Sequence, residues 1–92
     1  MKTVKALSTE QLLSIADEVC ALYKVRVRSF AALAACAAVP GARVYGVPVF
    51  DSPAAAAAEL RRTIAALEPL TAENAVLAEC AAEVYRDWVD AR

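Results

Sequence analysis

Histidine is absent from all 92 residues. That absence excludes His-based general acid–base catalysis, Ser-His-Asp triads and imidazole metal sites. Glycine is nearly absent too, with two residues, and only four prolines occur, so little of the chain suits a linker or a disordered tract. No apolar run reaches about 18 residues without a charge, so no membrane span is expected. A basic excess is also missing: the net charge is −1 and the pI about 5.3, which argues against nucleic-acid binding as the main role. The longest basic run, Lys24, Arg26 and Arg28, reads as a solvated connector in preference to a phosphate-contacting strip.

What is present is apolar. Hydrophobic residues make up 60% of the chain and the mean hydropathy is +0.42, enough for the core of one domain spanning residues 1–92. Much of this content is alanine, which permits close helix contacts but adds little area per residue. Three cysteines, Cys20, Cys36 and Cys80, are an odd number, and their spacing suits no zinc site. No signal-peptide pattern precedes them. They are expected to be reduced core thiols of a cytoplasmic protein. Without histidine an activated thiol would lack the usual base.

The pattern predicts a mainly α fold. After a leader, Met1 to Leu7, Ser8-Thr9-Glu10-Gln11 forms a capping box. Leu12, Ile15, Ala16, Val19, Cys20 and Tyr23 then follow helical spacing, giving a first helix over Thr9 to Tyr23. Val25 and Val27 alternate with Arg26 and Arg28, an extended or loop connector. Ser29 can cap a second helix over Phe30 to Ala38, which Pro40-Gly41 stops. Arg43 to Phe50 is rich in β-formers but holds Gly46 and Pro48, so an edge strand, a flap or a small hairpin is expected. Ser52-Pro53 opens a third helix through Leu67, with Leu60, Ile64 and Leu67 on one face. Its alanine tract, Ala54 to Ala58, suits a close-packing face. Glu68-Pro69-Leu70 breaks the chain, since a residue before proline avoids helical angles. Thr71 is then expected to cap a fourth helix over Ala72 to Ala91, with Val76, Leu77, Cys80, Val84 and Trp88 facing inward.

Glu68-Pro69-Leu70-Thr71-Ala72-Glu73-Asn74-Ala75-Val76 resembles the signature loop of the Fic/Doc family, His-Pro-Phe-x-(Asp/Glu)-Gly-Asn-(Lys/Gly)-Arg. In ungapped register Pro69 and Asn74 are kept. Glu68 replaces the catalytic histidine, Leu70 stands at the phenylalanine, Ala72 at the acidic metal ligand, Glu73 at the glycine and Val76 at the arginine. The similarity runs from about Leu7 to Trp88. Val27-Arg28-Ser29-Phe30 matches the family's short element before its second helix, Val39-Pro40 the end of the alanine-rich helix, and Tyr45-Gly46 and Phe50 the aromatic positions that follow.

The resemblance implies a small Fic/Doc-like helical bundle with a short β-like flap between the second and third helices. In that family the loop holds phosphates at a helix N-terminus, with the histidine as base and the acidic residue on magnesium, for nucleotidyl or phosphoryl transfer. Glu68 is a weak base for a hydroxyl, at an ordinary pKa of about 4.3. Ala72 offers no metal donor, Glu73 would repel phosphate, and Val76 supplies no cation. Glu73 is explained as an acidic residue in a first helical turn, and Asn74 as a local bond near the cap.

The expected function is therefore non-catalytic. No cofactor and no metal are expected, nor a nucleic acid or membrane partner. The resemblance implies a protein partner, an antitoxin or regulator with an amphipathic docking segment, in a toxin–antitoxin-type system. A homodimer is the other possibility, since the chain stops soon after the fourth helix where family members continue, leaving apolar surface to cover. Tyr45, Val47, Val49 and Phe50 are the candidate partner-binding flap; otherwise Tyr45, Val49 and Phe50 cover the core. Two alternatives stay open. One is a residual nucleotide binder or nucleotidyl or phosphoryl transferase using Glu68 and Asn74. The other is an unrelated dimeric helical scaffold, in which Glu68 to Val76 need not form a loop-to-helix turn.

Overall fold

The computed structural model describes residues 4–90. Four helices and one hairpin follow in order: α1 (Thr9–Tyr23), α2 (Phe30–Ala37), β1 (Arg43–Val44), β2 (Val47–Pro48), α3 (Pro53–Leu67) and α4 (Asn74–Asp90). The fold is mainly α, as composition and periodicity predict. The α3–α4 pair forms the largest contact, and α1 and α2 pack against it and each other.

Local chemistry starts three of the helices where the sequence places them. The Gln11 amide donates to the Ser8 hydroxyl at 3.0 Å, and the Ser8 amide donates to the Gln11 side chain at 2.8 Å, completing the capping box. Ser29 and Ser52 accept from the Ala32 and Ala55 amides, each at 3.1 Å. Helix α1 ends on Lys24 in the left-handed conformation. Helix α2 ends one residue earlier than expected, because Ala38 serves as its cap.

The start of α4 differs. Thr71 is not its cap, and the helix begins at Asn74, not Ala72. Its first backbone bond runs from the Leu77 amide to the Glu73 carbonyl, at 3.1 Å. Thr71 is used elsewhere, as described below. The expected end at Ala91 and the leader residues Met1 to Thr3 lie outside the described residues.

The inward stripe of α4 also differs. Of the five residues expected there, Leu77 alone is fully buried. Val84 is 47% exposed, and Val76, Cys80 and Trp88 are half-buried. The buried face is Leu77, Ala78, Ala81, Ala82, Tyr85 and Val89. Close approach to α3 selects small side chains, and Ala56 and Ala57 of the alanine tract are buried on α3. A reading by side-chain size picks the wrong stripe, because here alanine sets the contact. Leu60 and Ile64 are buried as expected, whereas Leu67 is 39% exposed at the end of α3.

The leader is fastened to α4. The Tyr85 hydroxyl donates to the Lys5 carbonyl at 2.7 Å and accepts from the Lys5 amide at 3.2 Å. Lys5 also places its ammonium 4.9 Å from the Trp88 ring centroid. Leu7 is buried in the core.

Candidate functional site

The Glu68–Val76 segment forms a left-handed stop, a crossover and a helix start. Glu68 caps α3 with φ 49°, donating its amide to the Ile64 carbonyl at 3.0 Å. An acidic residue here is poorly placed for the helix dipole. The Arg28 guanidinium answers the α3 carbonyls instead, donating at 2.8 Å to both Leu67 and Glu68. Lys24, Arg26 and Arg28 are exposed in the connector, as expected, and Arg28 serves in addition as a structural cap. Its backbone is engaged as well.

The connector before α2 and the crossover before α4 pair with each other. Val27 and Leu70 form an antiparallel bridge. The Pro69 carbonyl accepts from the Arg28 amide at 2.6 Å and the Ser29 amide at 3.2 Å. The Thr71 amide donates to the Arg26 carbonyl at 2.8 Å, and the Thr71 hydroxyl accepts from the Arg26 amide at 3.1 Å. Thr71 thus stitches two chain segments that lie 45 residues apart.

Asn74 clasps the turn. Its carboxamide oxygen accepts from the Leu70 amide at 2.8 Å, and its nitrogen donates to the Leu70 carbonyl at 3.1 Å. The expected local bond is present, with both ends used. Pro69 and Leu70 are buried. Ala72 and Glu73 are exposed. Glu73 is not a first-turn acidic residue: it precedes the helix with φ 61°, a conformation that favours glycine. Val76 is half-buried and lines an apolar groove described next.

The flap is a two-residue hairpin. Tyr45 and Gly46 both have positive φ, at 51° and 79°, as a type I′ turn demands. Arg43 braces the turn, donating from its guanidinium to the Gly46 carbonyl at 2.8 Å. Tyr45 is fully exposed, and Val47 and Val49 are more than half exposed. Phe50 alone of the four flap candidates packs against the core. Covering the core thus explains Phe50 and leaves Tyr45, Val47 and Val49 facing solvent.

A second surface has no counterpart in motif reading. An apolar groove of about 440 Å³ runs between α1 and α4, lined by Ile15, Val19, Leu22, Tyr23, Val76 and Val84 among others. A further section of about 320 Å³ continues it past Ser14, Ile15 and Val84 toward Trp88. Leu22 is 76% exposed. Val76, Cys80, Val84 and Trp88, expected to face inward, line this groove because alanines hold the α3 contact.

The thiols are free. Burial raises the Cys36 pKa to about 11. Burial and, secondarily, the Asp17 carboxylate raise that of Cys20. Both shifts make thiolates scarcer at neutral pH. Among the described residues no group of three or more His, Cys, Asp or Glu side chains is placed to hold a metal ion, and no helix is long and apolar enough to cross a membrane.

Comparison with known proteins adds no family: no family model matches the chain, and no curated protein or solved structure does.

Proposed function

We propose that this chain is a catalytically inactive, Fic/Doc-like protein that acts by protein–protein interaction, as a component or regulator of the toxin–antitoxin kind. The observation that carries the reading is the Glu68–Val76 segment. It makes the loop-to-helix turn that the motif requires, with Asn74 kept as its clasp. Glu73, in the register of the motif's glycine, has a glycine-like φ of 61°. A left-handed backbone retained under a non-glycine residue suits a motif that has kept its shape and lost its residue.

The chemistry of phosphate handling finds no support there. Pro69, Leu70 and Thr71 spend backbone groups on Arg26, Arg28, Ser29 and Asn74. Ala72 and Val76 carry neither a metal donor nor a cation. The exposed hairpin tip and the α1–α4 groove supply apolar surface of the kind that partners cover.

Two measurements test this reading. Calorimetric titration with ATP and GTP in the presence of magnesium is expected to be flat, with no label transferred from either nucleotide. Co-expression with the product of the adjacent reading frame is expected to give a stoichiometric complex. Saturable nucleotide binding lost in Glu68→Ala or Asn74→Ala would favour the residual enzyme. Failure of the chain to co-elute with that product would remove the toxin–antitoxin assignment.

A further inference from the structure

Three of the large apolar side chains that solvent reaches, Leu22, Tyr23 and Val84, lie together along the groove between α1 and α4. The two helices run antiparallel there. Ile15 and Val84 lie at the middle, Leu22 and Val76 toward one end, and Gln11 and Trp88 toward the other. Few charges border this groove. Of the α1 carboxylates, Glu18 lines it and Glu10 and Asp17 do not. Those of α4, Glu79, Glu83, Asp87 and Asp90, line the face shared with α3, beside Arg61 and Arg86. The cation is Lys5, whose ammonium stands over Trp88. Glu18 lies about 4–5 Å along α1 from Ile15, toward the Leu22 end, and Trp88 about 6 Å along α4 from Val84 in the opposite direction. The groove thus carries one charge of each sign, on either side of its middle. Among the described residues neither Glu18 nor Lys5 forms an ion pair.

We propose that this groove is the interface of a symmetric homodimer, in which a second copy seats the same α1–α4 face and Glu18 of each copy pairs with the partner's Lys5. The inference goes beyond the toxin–antitoxin reading and does not depend on it. In a two-fold contact residue i meets residue j and j meets i. Opposite charges on one face therefore pair twice, whereas charges of one sign would face each other. A two-fold axis lying in the plane of the face, between the two charges, makes both pairs and brings the apolar middle of each copy onto the other. A uniformly basic or uniformly acidic helix would match one end of the groove and be repelled at the other. The helix stretches that line the groove are about 18 Å long, and side by side they are about 20 Å wide. A face of that size is at the low end of specific interfaces, so a weak, micromolar dimer is expected.

The test is sedimentation equilibrium of the full chain from about 1 μM to about 1 mM. The mass is expected to rise from 9.7 kDa toward twice that value. Trp88 is the single tryptophan and lines the groove's continuation, so its emission should change with the same midpoint. Val84→Asp and Leu22→Ser, both at exposed positions, are expected to leave the chain monomeric with unchanged circular dichroism. Glu18→Lys alone and Lys5→Glu alone each set like charges together, and each is expected to weaken the dimer at least about ten-fold. An equimolar mixture of these two variants re-forms both pairs with signs exchanged, and is expected to dimerise within about three-fold of the unaltered chain. Damage to the Lys5–Trp88 contact would not be repaired by mixing.

A monomer at every concentration overturns the proposal. So does a dimer that survives both Val84→Asp and Leu22→Ser, or a mixture no tighter than its separate components. A complex with the adjacent gene's product that Val84→Asp abolishes, formed by a chain that is monomeric alone, would make that product the occupant. That result would overturn the dimer and uphold the interaction reading.

Discussion

Arg28 and Glu68, forty residues apart, are joined by a 2.8 Å bond from guanidinium to carbonyl. A second bond of equal length reaches Leu67. One side chain thus closes the C-terminus of α3 and fixes the connector that leads into α2. Arg28→Ala is expected to cost about 1–2 kcal/mol, read by denaturant unfolding, since two charge-assisted bonds are lost at an exposed site. Arg28→Lys is expected to recover less than half, because an ammonium lacks the planar fork that reaches two carbonyls. Full recovery by lysine would show that charge alone suffices.

The backbone at Glu73 offers a stabilising change. A non-glycine residue at φ 61° is strained, so Glu73→Gly is expected to raise stability by roughly 0.5–1 kcal/mol. Asn74→Ala removes both bonds to Leu70 and is expected to cost about 1–2 kcal/mol. Hydrogen exchange at the Leu70 amide should speed up in Asn74→Ala and not in Glu73→Gly.

Stability should fall in alkali. The Cys36 thiol ionises near 9.0 when unperturbed and near 11 in the fold. Its folded pKa is raised, so its contribution is complete below about pH 9 and is lost as pH climbs through about 11. The loss amounts to roughly 2 kcal/mol. Burial also raises Tyr85, opposed in part by its bond with the Lys5 backbone, and adds loss of the same sign at higher pH. Unfolding midpoints measured from pH 8 to 11 should flatten in Cys36→Ala. An unchanged slope in that variant would assign the loss to other groups.

The two glycines should respond differently. A Cβ on Gly41 would sit 2.8 Å from the Ala6 Cβ and 3.0 Å from its Cα. Gly41→Ala is therefore expected to push the leader off, with faster proteolysis there and a cost of roughly 1–3 kcal/mol. Ala6→Gly should rescue it in part. Gly46 has open space around it but a φ of 79°, so Gly46→Ala should cost about 1 kcal/mol through backbone strain and leave the leader protected.

Much of the fold was legible because its signals are local. Ser8, Ser29 and Ser52 each cap a helix through atoms three residues away, and Pro69 stops α3 by its own ring. The hairpin is one of the three forms that the β-formers around Gly46 and Pro48 left open. The start of α4 misled for an equally definite reason. Thr71 has the right chemistry for a cap, but its amide and hydroxyl are taken by Arg26. The capping role of Arg28 was not legible, since nothing near it in sequence announces the α3 carbonyls.

The sequence by itself determined the mainly α fold, the order of its elements and the starts of three helices, because capping and proline geometry act within a few residues. Tertiary structure alone decided which face of α4 is core. Alanines let α3 and α4 approach closely, so Tyr85 and the small residues turned inward and Val76 and Val84 turned toward α1. That choice depends on how near two helices can come, a distance that side-chain polarity does not encode. It is also what opened the apolar groove between α1 and α4.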